Sequence, residues 1–538
     1  MKKYLLPIVT FVCLTIGLFL GNALSQKVNA QQRGYLFPPN KIEHIMQLLS
    51  TRYVEELNTD TIIEQVATDI VKQLDPHSSY IPKEDLELVN SELEGSFSGI
   101  GVQFSIQEDT VGIVAIISGG PSEKIGILAG DKIIEVNDSV FTGKGINNEK
   151  VMHTLRGPKG TEVRLGIKRD GEDEMLHFTI ERGDVPVRSI DTHFIISDEI
   201  GYVRVNKFAA NTYSEFMLAM ADLRYKGAQS YIIDLRGNSG GYMDQAIKMA
   251  NEFLQDNDLI VYSLGRAYPY YESRANKLGR FHNEDIVVLM DAFSASASEI
   301  FAGAIQDNDR GTIIGKRSFG KGLVQQQFPL YDGSALRLTV AKYYTPSGRC
   351  IQKPYELGKG EDYYKDMLER IERGELYNED SIPHADSLIF HTKKGRTVYG
   401  GGGIIPDIFV ANDTTLNSPW YNKTVNRGYT YQFAYQYTNH HRKELERYES
   451  WSAMEAYLLK QNLVEQYAEF CEGKGIEREE EQIKKSTPLI SRLLIVYIVR
   501  DMLGDDDFYI LFERDDEVTQ KAVDFLQQAN NDKKKKNK

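Results

Sequence analysis

Apolar residues recur at helical spacing through Ile42, Ile45, Met46, Leu48 and Leu49, and again through Ile62, Ile63, Val66, Ile70, Val71 and Leu74. They predict a small helical region over residues 31–94, entered through the polar, proline-containing stretch Gln31–Pro39. Asp75-Pro76-His77-Ser78-Ser79-Tyr80 interrupts it, because the Pro76 ring disfavours helix at Asp75, and His77 reads as a turn residue rather than a catalytic one. From 95 to 184 the texture changes to short strands separated by glycine turns. From 185 to 411 apolar runs (Gly201–Val205, Tyr231–Leu235, Ile286–Met290, Thr312–Gly315, Leu323–Leu330, Ala335–Tyr344) alternate with helical patterns over 212–226, from Met243 and after Ser296. Strands without internal alternation are buried on both faces, which predicts a layered α/β core. Within it, 353–396 is acidic and tyrosine-rich and reads as an inserted surface excursion, with core texture returning at Gly400–Asp407. Residues 412–538 form a helical extension, in which Ser486-Thr487-Pro488 is expected to open an apolar helix, Leu489–Leu503, with Pro488 in its first turn. Arg492 and Arg500 make that helix buried core rather than a membrane span.

The chain has 538 residues, 41% hydrophobic and 26% charged, as expected of an ordinary folded protein with several domains. Its formal net charge of −14 argues against a nucleic-acid partner, and the run Lys533–Lys536 reads as a solvated, disordered tail. Residues 1–30 have the form of an export signal: Lys2 and Lys3, an apolar stretch from Leu5 to Leu20, and the small-x-small sequence Ala23-Leu24-Ser25. The uncharged span Tyr4–Gln26 is also long enough to anchor the chain in a membrane if it is left uncut. Either reading places the protein outside the cytoplasm, in the periplasm or on the outer face of the cytoplasmic membrane. Cys13 lies in the apolar stretch, in a poor context for lipid attachment. Cys350 and Cys471 lack metal-ligand company and read as structural, so neither a metal nor another cofactor is expected.

The chemistry concentrates in Asp291-Ala292-Phe293-Ser294-Ala295-Ser296-Ala297-Ser298-Glu299, between an apolar strand and a helical pattern. Small neighbours at a sharp strand-to-helix turn let a substrate carbonyl approach a serine. Phe319-Gly320-Lys321-Gly322 then offers a lysine in a glycine frame, with no carboxylate in that motif to hold it charged. Over residues 95–184, Phe97–Phe104, Gly119–Ser122, Ala129–Asn137 and Leu155–Thr161 together closely resemble a PDZ domain. There the backbone N–H groups of Gly99, Ile100, Gly101 and Val102 can nest a peptide carboxylate, and the strand that follows can accept an extended peptide at its edge. With DLRGNSGG at 234–241, SASASEIFAGAIQD at 294–307 and GKRSFGKGLVQ at 315–325 in colinear order, the chain resembles the carboxyl-terminal processing peptidases, or tail-specific proteases.

That resemblance implies a multidomain α+β protein: an N-terminal helical region, a PDZ-like β-rich domain, an α/β (ClpP/crotonase-like) peptidase core and the C-terminal helical extension. It also implies Ser296 as nucleophile, Lys321 as base and Gln325 as the residue positioning the lysine. A lysine of ordinary pKa about 10.4 is a poor base at neutral pH, but burial can lower it to roughly 7–8. The N–H of Ala297 at the helix start and that of Gly240 or Gly241 are the expected oxyanion donors, with Asn238 shaping the loop. Ser294 and Ser298 suit turn and capping bonds, and Glu299 suits the first turn of a helix. Asp307 lies about 16 Å along the helix from Ser296; it reads as structural, paired with Arg310, and Arg236 as a structural ion pair. The expected partner is a protein or peptide with a free C-terminus, and Arg156 is a candidate for coupling its binding to catalysis. A catalytically silent PDZ scaffold and a ligand carrier on the same core are the alternatives. Residues 412–538 read as a dimerisation element, a platform for an adaptor or a lid, with oligomerisation the preferred expectation.

Overall fold

The computed structural model describes residues 41–107, 109–169, 172–384 and 386–536; the export-signal or anchor segment lies outside them. The described residues up to Lys72 form one compact unit and those from Gln73 another. In the first, the two predicted apolar patterns form the helices Lys41–Arg52 and Thr59–Lys72.

In the second unit a six-stranded sheet carries the peptidase core, in the order 190–197, 200–205, 230–234, 285–290, 312–315, 408–409. The first pair is antiparallel and the rest are parallel. Alternate residues serve opposite faces. Val203, Tyr231, Ile233, Val288 and Ile313 pack against the helices Thr212–Tyr225, Met243–Asn251 and Ala297–Asp307 through Phe216, Met220, Met249 and Phe301. Tyr202, Ile232, Val287, Leu289 and Ile314 pack against Val518, Ala522, Val523 and Leu526 of the final helix, Glu517–Lys536. The second layer of the core is thus supplied by the C-terminal extension, so that helix spends its apolar stripe inside the molecule. A second sheet centres on Ala335–Tyr344, paired with Leu323–Pro329, Ser79–Ile81 and Leu259–Leu264, while Tyr271–Arg274 extends its edge.

The PDZ-like region forms a sheet in the order 102–107, 110–116, 132–136, 162–168, 176–181, with the helix Asn148–Leu155 capped by the Asn147 side chain. Its strand Val102–Gln107 lies at the sheet edge. Helices over 419–503 enclose their own core around Trp420, Tyr467, Leu494 and Val499. One of them, Tyr429–Leu445, rests on the PDZ-like domain, with Tyr435 Oη 3.4 Å from Ile113 O.

Four expectations are corrected here. The run Lys533–Lys536 is not a disordered tail but ends the helix Glu517–Lys536, with Lys533 paired to Asp285 (2.8 Å) and Lys534 to Glu199 (2.6 Å). Pro488 lies inside a longer helix, Glu480–Leu503, rather than in its first turn. Neighbouring hydroxyls hold that stretch: Ser486 Oγ donates to Leu416 O (2.7 Å) and Thr487 Oγ1 to Ile483 O (3.0 Å). Asp307 pairs with Arg349 (2.7 Å), not Arg310, whose guanidinium caps the carbonyls of Phe253, Phe281 and Glu284. Segment 353–396 is more than a surface excursion, since Arg370 and Glu375 within it are 1% and 3% exposed. Among the described residues no helix is long and apolar enough to cross a membrane and no group of side chains is suited to hold a metal ion, and Cys350 and Cys471 are free thiols.

Candidate active site

Two parallel strands deliver their following loops to the same end of the core sheet, the end where open α/β sheets bind ligands. The strand Asp285–Met290 leads into the serine turn, and Ser230–Asp234 into the loop Arg236–Gly241. Ser294 Oγ donates to Leu235 O (2.8 Å) and Ser298 Oγ to Asn238 O (2.9 Å), which lash the turn to the loop. Asn238, wholly buried, completes the lashing: its backbone carbonyl accepts from Ala295 N (3.0 Å), and its Nδ2 donates to Val205 O (2.8 Å). Between these ties Ser296 is held at φ +54° and ψ −113°, in the left-handed region a serine rarely adopts, at the start of the helix Ala297–Asp307.

Glu299 organises what surrounds it. Fully buried, its Oε2 accepts from the backbone N–H of Ser296 (2.8 Å) and of Lys321 (2.9 Å). Its Oε1 accepts from Gly320 N (2.7 Å) and Ser318 Oγ (2.5 Å). Burial pushes this carboxyl upward while the four donors oppose the shift. One side chain therefore fixes the backbones of serine and lysine together. The sequence places Glu299 as a first-turn acid. Its Ser-x-x-Glu spacing marks a capping box, but the approach of Gly320 and Lys321 is a tertiary fact. Tyr343 adds a further tie that no sequence signal announces: its hydroxyl lies 2.7 Å from Lys321 O and 3.1 Å from Ser296 O.

Lys321 Nζ donates to Gln325 Oε1 (2.9 Å), and among the described residues no hydrogen bond joins it to Ser296. Burial, aided by the positive charge of Arg337, pushes its amine down to about 8, against the pull of Glu299 and Asp75. Gln325 follows a bulge in the strand pairing at Val324/Gln325, a device that re-aims a side chain. Its Nε2 donates to His77 O, which leaves Oε1 facing the lysine. His77 lies in the turn the sequence predicts, held by Asp75, which accepts from His77 N (3.0 Å) and Ser78 N (3.1 Å). Burial and the nearby Lys321 push the His77 imidazole down to about 4, so it is neutral at physiological pH.

Ser296, Lys321 and Gln325 line one cleft of about 920 Å³, with Ser239, Gly240 and Gly241 on one wall and Leu88, Asn90 and Leu93 on another. The Gly240 N–H is engaged by Asn238 Oδ1 (2.9 Å). Among the described residues no protein acceptor takes the N–H of Gly241 or of Ala297. A Cβ at Gly240 would meet Ser296 Cβ at 2.7 Å and Ala295 O at 2.8 Å, so that position admits only glycine without a shift. A serine hydroxyl, a lysine of depressed basicity and two unengaged amides beside one cleft are the parts acyl transfer requires. In the PDZ-like domain Gly99 ends the strand Ser96–Gly99, Ile100 is buried in the domain core, Gly101 turns the chain at φ +78° and Val102 opens the edge strand.

Residues 199–362 match the model of peptidase family S41, residues 98–180 that of the PDZ domain, and residues 420–504 a family of unknown function. A carboxy-terminal-processing protease of Bartonella bacilliformis is 38% identical over 313 residues, which are 57% of this chain and 71% of that protein. The carboxy-terminal processing protease CtpB of Bacillus subtilis is 31% identical over 363 residues, 65% of this chain and 74% of that one. The solved photosystem II D1 C-terminal processing protease is similar over 70% of this chain and 88% of its own, at 22% identity and a TM-score of 0.37. The chain belongs to peptidase family S41, the carboxy-terminal processing proteases, and is a serine-type peptidase that carries a PDZ domain.

Proposed function

We propose that the enzyme cleaves exported proteins near their C-terminal tails with a Ser296/Lys321 dyad. The neutral Lys321 amine takes the hydroxyl proton as Ser296 Oγ bonds to the scissile carbonyl carbon. The oxyanion that forms accepts from Ala297 N–H and Gly241 N–H, Gly240 serving as the close-packed neighbour of Ser296. As the C–N bond breaks, the protonated lysine returns its proton to the leaving amine. Water activated by the same amine then hydrolyses the acyl-enzyme. Gln325 holds Nζ in reach and turns it to the serine when substrate enters. One observation carries this reading: the Glu299 carboxylate grips the N–H groups of Ser296 and Lys321 at once.

Substrates enter by their free C-terminus, whose carboxylate the amides of Gly99, Ile100, Gly101 and Val102 receive, while the edge strand pairs with the tail. A PDZ domain of a Vibrio cholerae carboxy-terminal protease, 30% identical to a segment spanning 17% of this chain, was solved with a peptide. Arg156 supports coupling between the two sites. It lies 4.1 Å over the Phe97 ring and donates to Ser91 Oγ (3.2 Å) on the helix Lys83–Glu94, whose Leu88, Asn90 and Leu93 line the cleft. The charge and hydropathy of residues 1–30 support export.

The test is cleavage of an unstructured protein ending in a free or an amidated carboxyl. Ser296→Ala and Lys321→Ala should each abolish cleavage, and amidation should slow the wild type. Cleavage by Ser296→Ala at the wild-type rate contradicts the dyad, and equal rates on both ends contradict tail recognition. Arg156→Ala should lower the rate on tailed substrates with little change in Tm.

A further inference from the structure

The segment read from sequence as an excursion reaches the back of the lysine loop. Three consecutive peptide groups before Lys321 are gripped at both ends. On the serine side their N–H groups donate to Ser294 O (Phe319 N, 3.0 Å), to Glu299 Oε1 (Gly320 N, 2.7 Å) and to Glu299 Oε2 (Lys321 N, 2.9 Å). On the other side Arg370 donates to Ser318 O (Nη1, 2.8 Å) and Phe319 O (Nη2, 2.9 Å), and Lys353 N donates to Gly320 O (3.0 Å). Arg370 is 1% exposed and belongs to the helix Gly360–Glu372. Its Nε donates to Asp366 Oδ2 (3.0 Å), which also accepts from Lys353 Nζ (2.9 Å); that ammonium sits 4.1 Å from the Phe319 ring centroid. A buried ion pair, Arg317–Glu375 (2.5 Å), fixes the start of the same loop. The match to the peptidase family model ends at residue 362, so Asp366, Arg370 and Glu375 lie beyond it.

We propose that Arg370 is a positioning residue for the peptidase reaction, orienting the Ser318–Phe319 and Phe319–Gly320 peptide planes so that Lys321 is presented to Ser296. A buried carbonyl left without a donor is unfavourable, so without the guanidinium these peptides turn toward water and release their N–H groups from Ser294 O and from Glu299 Oε1. The lysine is then misplaced and rehydrated. The inference rests on the dyad reading.

Its test compares Arg370→Ala, Arg370→Lys and Leu368→Ala on an unstructured protein with a free C-terminus, with kcat, KM, the pH profile and Tm measured for each. Arg370→Ala should lower kcat by about 10- to 100-fold with KM within about twofold. Its acid limb should move above the wild-type position as Lys321, faced by Arg337, Glu299, Asp75 and His77, regains water. Arg370→Lys keeps the charge and should recover part of kcat; where the alanine variant fails to fold, the lysine variant's kcat and limb decide. Leu368, 63% exposed on the same helix, should change nothing. A folded Arg370→Ala enzyme with wild-type kcat and limb, or one changed only in KM or Tm, overturns the inference while Lys321→Ala remains inactive. Activity surviving in Lys321→Ala removes the dyad reading as well.

Discussion

Ser296 stores backbone strain at the proposed nucleophile. A non-glycine residue at φ +54° costs of order 1–3 kcal/mol, and ties from Asn238, Glu299 and Leu235 hold it there. Ser296→Gly should therefore be more stable than Ser296→Ala by about 1 kcal/mol in chemical denaturation, although both lack the proposed nucleophile. Lys321 carries a second cost. Its folded pKa of about 8 lies below the ordinary 10.5, so the fold binds fewer protons than the unfolded chain between those values. The penalty of a buried ammonium is complete below pH about 8 and fades as pH rises toward 10.5. Lys321→Met should thus raise Tm at neutral pH and lose that advantage in alkali. Small residues around a central serine and a lysine flanked by glycines made both positions legible in the sequence. Glu299 was visible only as a first-turn acid, because its second partner comes from a loop whose approach no local spacing encodes. Tyr343 and Arg370 reach the site from distant elements and gave no signal.

Loops and helices act as braces at the scale of elements. The loop Arg236–Gly241 contacts the serine turn so closely that Gly240→Ala, whose Cβ would lie 2.7 Å from Ser296 Cβ, should lower kcat by about 100-fold; steady-state kinetics beside a melting curve separates this from unfolding. Apolar runs located the inner core strands 200–205, 230–234, 285–290 and 312–315, which are buried on both sides, whereas 323–329 and 335–344, expected to be buried likewise, form a second, partly exposed sheet. Pro488 was misread because a proline after serine and threonine looks like a helix start, whereas the pattern continues back to Glu480. The brace at 353–396 was misread because acidic and aromatic composition describes its outer face and conceals Arg370.

Across the whole molecule, the C-terminal extension completes the enzyme it follows. Tyr202, Ile232, Val287, Leu289 and Ile314 need Val518, Ala522, Val523 and Leu526 over them. Arg236, directly after a core strand, ties buried Asp234 (2.6 Å) to buried Glu513 (2.7 Å) and to Asp516 (2.7 Å) in that extension. Arg236→Ala leaves buried Asp234 and Glu513 to Arg204 alone (2.9 and 3.6 Å) and should destabilise the fold in denaturant titration, by less than the about 3–5 kcal/mol of a buried charge with no partner at all. A chain ending at Asp516 should aggregate or melt far below the full chain, and normal melting with full activity would contradict the layered account. The apolar spacing of that helix was readable, but its partner was not: one amphipathic stripe fits a second copy, an adaptor or its own sheet equally well until the fold places it.

The central claim is that a neutral Lys321 deprotonates Ser296, and the most direct test is the rate at which a serine-directed phosphonate labels Ser296 as pH is varied. The wild-type rate should fall about tenfold per pH unit below a limb near 8, and labelling should vanish in Lys321→Ala. A limb near about 6.5, where histidine titrates, or undiminished labelling of the Lys321→Ala variant, would contradict it.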